Sequence, residues 1–205
     1  MKKIATILIF TIMFSTTYSQ KDSIAMKTYS ITFGGNYGIG IGDNFLSKGY
    51  KNNPGINLEF QFHIKRWLFL GFDLQQNFLE VKDQKIIGQF SNSDCLTTVF
   101  FAGYRQNYTT NNFFSEYRIG IGSKKITNHS ILGTNFVSGI NYQIATKLFY
   151  NFNTNLNFFT GFEFNYSTYD VDLKGPYKDF YSNSYQFTPT IGLRLNFGKL
   201  VKNKI

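Results

Sequence analysis

Ile56-Asn57-Leu58-Glu59-Phe60-Gln61-Phe62-His63-Ile64 decides how this chain is read. Apolar side chains fill every even position and polar ones stand between them, so the two classes fall on opposite faces of an extended strand. A helix, with about 3.6 residues per turn, would scatter the same residues around its circumference.

The alternation recurs outward from that stretch. Leu68, Leu70, Phe72 and Leu74 alternate with Asp73, Gln75 and Asn77; Phe113, Tyr117, Ile119 and Ile121 stand against Glu116 and Arg118. Ile140, Tyr142 and Ile144 interleave with Asn141 and Gln143, and Leu156, Phe158, Phe162, Phe164 and Tyr166 with Asn157, Glu163 and Asn165. The last run sets Tyr185, Phe187, Pro189, Ile191, Leu193, Leu195 and Phe197 against Gln186, Thr188, Thr190, Arg194 and Asn196. With weaker alternation near 29–42 and 95–105, the chain reads as eight strands. Long polar connections at 43–54, 80–94, 123–134 and 170–183 alternate with shorter links near 65–67, 106–112 and 147–154. The fold class expected is all-β: an eight-stranded antiparallel up-and-down transmembrane β-barrel.

Composition agrees. The 205 residues include 24 Phe, 14 Tyr and 18 Gly, and only 16% are charged, against roughly 25% in soluble domains. Four Ala and four Glu are too few for a helical bundle. The single Cys95 excludes a disulfide framework within the chain and a multi-Cys zinc site. No His or Cys pair has ligand spacing and the loop acids are scattered, so neither a metal nor a cofactor is expected.

Alternation alone fits a soluble ligand-binding barrel equally well. Two observations decide which face is out. The apolar face carries roughly forty residues, and an eight-stranded barrel has room inside only for its own side chains or one small ligand. The charges are also sorted: Lys is confined by this reading to loops, turns and strand ends, while Arg105, Arg118 and Arg194 share the polar face with Glu59, Asp73, Glu116 and Glu163. Planar Arg forks paired with carboxylates suit a crowded lumen. The apolar face therefore meets lipid, and the lumen is expected to be polar, packed and closed. Trp67, beside Lys65 and Arg66, suits an interfacial girdle. His63 is expected as a hydrogen-bonded residue of the lumen wall.

Lys2 and Lys3, the apolar run Ile4 to Phe14 and the small polar residues up to Ser19 have the layout of a secretory signal. The expected organisation is a cleavable signal peptide over 1–19, a short N-terminal segment over 20–27, a barrel over 28–198 and a basic tail over 199–205. With an even number of strands both ends of the barrel fall on one side, the periplasmic one for an exported chain.

The signal segment, the eight strands and Thr190-Ile191-Gly192-Leu193-Arg194-Leu195-Asn196-Phe197 together resemble the small outer-membrane β-barrel proteins, the class of OmpA-type membrane domains, OmpX and PorT-like barrels. The resemblance implies residence in outer-membrane lipid. It also implies that Thr190, Gly192, Leu195 and Phe197 form a signal read by the barrel-assembly machinery. Here Phe197 is not terminal, and no peptidoglycan-binding domain follows, so the two-domain role is not implied.

Catalysis finds little support. His129 adjoins Ser130, but neighbours in extended chain point to opposite sides, and the His-x-Ser arrangement of barrel deacylases is missing from the late strands. Gly38-Ile39-Gly40-Ile41-Gly42 lacks the strand–turn–helix unit of a nucleotide-binding loop. The isoelectric point of about 9.5 raises nucleic acid, which export and the dispersal of Lys oppose. Instead Lys48, Lys51, Lys82, Lys85, Lys124, Lys125, Lys174 and Lys178, two per long loop, are candidates to contact lipopolysaccharide phosphates. The leading expectation is a non-enzymatic barrel with a closed polar lumen, serving envelope structure or surface interaction through four long polar loops. The alternatives are a narrow pore or accessory component of a secretion apparatus, as in PorT-like barrels, and a lipid-modifying barrel enzyme.

Overall fold

The alternating segments form antiparallel strands that close on themselves. The computed structural model describes residues 26–90, 92–108, 112–130, 133–171, 175 and 177–201; the signal segment 1–19, most of the 20–27 segment and Lys174 lie outside the described residues. The strands are β1 (Lys27–Asn36), β2 (Ile39–Ile41), β3 (Tyr50–Asn52), β4 (Gly55–His63), β5 (Leu68–Val81), β6 (Asn92–Asn107), β7 (Phe113–Ser130), β8 (Gly133–Asn151), β9 (Leu156–Tyr169) and β10 (Asn183–Leu200). The ring runs β1-β4-β5-β6-β7-β8-β9-β10 and closes by pairing β1 with β10. β2 continues β1 along β10, and β3 continues β4 along β5, so the barrel has eight staves.

The burial pattern is that of a soluble protein turned inside out. Glu59, Asp73, Glu163 and Arg194 are fully buried, whereas Phe100, Ile119 and Ile144 are about two-thirds exposed on the outer wall. A continuous apolar outer surface is stable against hydrocarbon, where closure leaves no strand edge with unmet hydrogen bonds. Trp67 is exposed at the turn end, with Lys65 Nζ 5.4 Å from its ring and Tyr104 6.2 Å away.

Several expected boundaries move. The expected third loop, 123–134, is largely strand: β7 and β8 pair through Ser130 and Gly133 as one long hairpin. The expected link at 147–154 begins later, because β8 runs to Asn151. The basic tail starts later as well: Lys199 and Leu200 belong to β10, and the Val201 amide donates to the Met26 carbonyl at 2.8 Å. In each case cross-strand backbone pairing carries the strand on, whatever the polarity of the side chains.

The remaining loops are not simply polar. Short helices at Phe45–Gly49, Gln84–Ile87 and Lys178–Ser182 fold over the loop end of the barrel. Asn44 caps the first, its side chain accepting from the Ser47 amide at 3.0 Å, which leaves Phe45 and Leu46 pointing inward. They join Tyr50, Leu79, Cys95, Ile126 and Tyr169 in one buried cluster. Ile86, Ile87, Phe180 and Tyr181 pack against it from above. The Tyr181 hydroxyl ties two loops together by donating to the Ile86 carbonyl at 3.0 Å.

Lumen glycines stand beside large lumen side chains. Phe101 lies between Gly71 on β5 and Gly120 on β7 in the strand registers, and a Cβ at Gly71 would come 2.2 Å from Phe101 Cζ and 2.5 Å from the Phe60 carbonyl oxygen. Gly71→Val is expected to lower stability by about 1–3 kcal/mol through overpacking. Gly35→Ala, whose nearest contact would be 3.8 Å away, is expected to have little effect. Denaturant unfolding in lipid vesicles distinguishes the two.

Candidate functional site: the lumen charge network

All seven expected lumen charges meet in one network across the middle of the barrel. Arg118 of β7 binds Glu59 of β4, Asp73 of β5 at 2.9 Å and Glu163 of β9 at 2.6 Å. Arg194 of β10 grips Glu116 of β7 through Nη1 and Nη2, both at 2.7 Å, and lies 3.5 Å from Glu59. Arg105 of β6 takes Glu116 through Nε at 3.0 Å and Nη2 at 2.7 Å. Glu59 and Asp73 are direct cross-strand partners, an arrangement of like charges that is unfavourable without a cation shared between them. Arg118 supplies it.

The expected set held four acids and three cations. The structure adds Lys147, buried on β8, whose Nζ lies 2.7 Å from Glu59 and 3.5 Å from Glu163. Formal charge then balances, with four carboxylates against four cations. This corrects the expectation that Lys avoids strand middles: Lys147 belongs to β8 rather than to a turn. Its flanking sequence, Thr146-Lys147-Leu148, alternates as well as any, so the parity of β8 was the available signal.

Amides fill the spaces between charges. Gln61 donates to Glu59 at 2.6 Å and to Glu116 at 3.1 Å; Gln75 donates to Asp73 at 2.7 Å and also to Glu163; Gln143 reaches Glu163 at 3.0 Å. Arg194 Nε donates to Thr32 of β1 at 3.1 Å, so every stave of the ring contributes to the network.

Each of the four network cations also rests on an aromatic ring. The guanidinium carbons of Arg194, Arg105 and Arg118 lie 3.8, 4.0 and 4.5 Å from the ring centres of Phe149, Phe114 and Phe101, and Lys147 Nζ lies 4.9 Å from that of Phe159. Such contacts strengthen in desolvated surroundings. The expectation of a polar lumen is corrected here: among the described strand residues five Phe, counting Phe69, face inward. Each shares the strand parity of a lumen charge, as Phe159 does with Glu163 and Phe101 with Arg105, and that parity was the overlooked sign.

His63 is buried at the turn end against Phe69, with ring centres 5.7 Å apart, and neither nitrogen has a hydrogen-bond partner. The expectation of a hydrogen-bonded His63 is therefore corrected: its ring lies against Phe69. His129 lies on β7 with Nε2 3.0 Å from Asp94, while the Ser130 hydroxyl donates to the Gly133 carbonyl at 3.0 Å.

The other expected site residues are dispersed. Thr190 and Gly192 line the lumen side of β10, while Leu195 and Phe197 face outward beside the β1 seam, where Phe197 stacks on Tyr29 with ring centres 5.7 Å apart. Lys48, Lys51, Lys82, Lys85 and Lys178 are exposed around the loop end. Lys125 is exposed on β7, 4.5 Å from the Phe136 ring centre. Lys124 is a correction: it is buried inside β7 and donates to Gln186 at 2.5 Å, so no surface phosphate can meet it. The parity of β7 alternates through this pair and turns one Lys inward and the next outward.

Lys147→Met removes one cation and leaves buried acid unbalanced. A loss of about 3–5 kcal/mol is expected, with Lys147→Met/Glu59→Gln recovering a substantial part of it. Trp67 fluorescence during urea unfolding in vesicles measures both.

No protein-family model and no curated protein matches the chain. Solved structures do. Neisserial surface protein A aligns with a TM-score of 0.60 at 11% identity, over 83% of this chain and 97% of that one. The outer membrane protein OprG from Pseudomonas aeruginosa aligns with a TM-score of 0.51 at 12% identity, over 86% of this chain and 99% of that one. The chain thus has the fold of the small outer-membrane β-barrels.

Proposed function

We propose that this chain is a non-enzymatic barrel of the outer membrane whose lumen is closed, and that it serves envelope structure or contact at the cell surface through its loop end. The observation that carries the reading is the balanced network of four acids and four cations spanning the lumen. Opening a path through it would separate buried ion pairs, and each charge left buried without its partner costs about 3–5 kcal/mol. The aromatic lid at the loop end adds a second obstruction. Both arguments oppose the pore alternative, and the shared fold supports the membrane location.

In this reading the turn end, where Lys27 and Leu200 pair, faces the periplasm. The barrel-assembly machinery would engage β10 during biogenesis through Leu195 and Phe197, the outward members of its signal. The exposed lysines of the loop end would neutralise lipopolysaccharide phosphates as point charges.

Single-channel recording in planar bilayers is expected to show no stable conductance; sustained openings would overturn the closed lumen. Replacing Lys48, Lys51, Lys82, Lys85, Lys125 and Lys178 together by Gln is expected to abolish any rise in thermal stability conferred by lipopolysaccharide. An undiminished rise would remove these residues from the proposal.

A further inference from the structure

The wall that faces lipid is recessed in one place. Across β6 to β9 it carries an apolar groove of about 540 Å³, within the roughly 300–1,000 Å³ of sites that hold a small ligand. Ala102 accounts for the recess. It points outward on β6 between Phe100 and Tyr104, and its cross-strand partners are Leu70 and Ile119. A methyl group thus stands among long side chains. Ile119, Phe100 and Ile144, the most exposed large apolar residues of the described strands, line the same groove and stand proud of the dip. Farther round, Tyr142 stacks on Tyr166 with ring centres 6.1 Å apart, which stiffens that side.

Toward the loop end the outward positions change polarity in order. Phe100 pairs with Ile121; the next outward pair is Thr98 with Ser123, and the next outward residue of β7 is Lys125. Lys125 is held against the wall, its Nζ 4.5 Å from the Phe136 ring centre. Among the described residues no carboxylate pairs with it. Lys125 stands about 13 Å along β7 from Ile121 at ~3.3 Å per residue. At the usual tilt of such strands this is about 10 Å along the bilayer normal. An apolar recess, a pair of hydroxyls and a cation, in that order, match an amphiphile with a hydrocarbon chain, a polar linkage and an anionic head. A second barrel would bring an apolar wall to the recess and no stated anion to Lys125, whereas a phosphorylated lipid supplies both parts. The groove is also continuous with a wall that lipid already covers.

We propose that this face binds one lipopolysaccharide molecule at a fixed place. One acyl chain lies in the groove beside Ala102, the chain's linkage to the sugar is level with Thr98 and Ser123, and a phosphate rests on Lys125. The proposal rests on the reading that the loop end faces the cell surface, which puts lipopolysaccharide rather than phospholipid beside Lys125. It differs from contact by loop-end lysines in general, because here a shaped recess selects the position.

The test uses the chain refolded in dodecyl maltoside micelles at low salt. It is titrated with bis-phosphorylated lipid A in one arm and with phosphatidylglycerol in the other, and native mass spectrometry counts the lipids retained. Ala102→Phe fills the recess, Lys125→Gln removes the cation, and Lys51→Gln removes a loop-end lysine that pairs with Glu80 away from the groove. Saturation at one lipid A, weakened about fivefold or more by each of the first two variants and less than about twofold by Lys51→Gln, is the expected result. Unchanged affinity in Ala102→Phe overturns the groove; if Lys125→Gln and Lys51→Gln then weaken binding equally, the point-charge role of the loop-end lysines survives without it. Uptake of lipid A without saturation, phosphatidylglycerol bound as tightly as lipid A, or a protein dimer in place of the lipid adduct likewise overturns the proposal. Should Ala102→Phe lose the heat-dependent gel mobility of the folded barrel, Ala102→Leu takes its place and decides.

Discussion

The four acids and four cations of the lumen network, buried inside a membrane-spanning tube, must cancel, and the rest of the structure follows from that constraint. An unpaired carboxylate or guanidinium in this setting would cost several kcal/mol. Glu59, Asp73, Glu116 and Glu163 therefore meet Arg105, Arg118, Lys147 and Arg194 across the lumen, each cation backed by an aromatic ring. The pairs join opposite walls: Lys147 on β8 reaches Glu59 on β4, half the ring away. The network thereby specifies register. A one-residue slip of any stave that carries a network charge would turn that charge to lipid and its apolar residues inward.

Space sets the second constraint. The interior of an eight-stranded barrel is only just filled by its own side chains, so two bulky groups cannot occupy adjacent wall positions at every level. Glycine provides the clearance: Phe69 faces Gly103 and Phe159 faces Gly192 in the strand registers. Glycine and phenylalanine are abundant here for one shared reason, beyond the aromatic wall presented to lipid. Where the charges stop, the lumen ends in two ways. Toward the loops an apolar cluster roofed by short helices closes it, and toward the turns a basic, amide-lined mouth remains.

This chemistry makes the barrel asymmetric along its axis. The loop end hides its apolar residues beneath a lid and presents lysines to the surroundings. The turn end places cations and an unmet amide donor inside a concave rim.

The sequence by itself determined the period-two strands, their number, the outward apolar face and seven of the eight members of the charge network. These properties are written in local alternation, and each strand carries its own parity without reference to the others. Only the tertiary structure decided that Lys147 is the missing cation, that Lys124 points inward, and that Phe101, Phe114, Phe149 and Phe159 belong to the lumen. It also decided that the third expected loop is a hairpin and that Phe45 and Leu46 roof the barrel. Such assignments depend on what stands across the lumen or over its end. Lysine, phenylalanine and glycine each have a plausible place on either face until the opposite wall supplies an acid, a cation or a gap. Charge balance and filled volume are properties of the closed ring, and no single strand contains them.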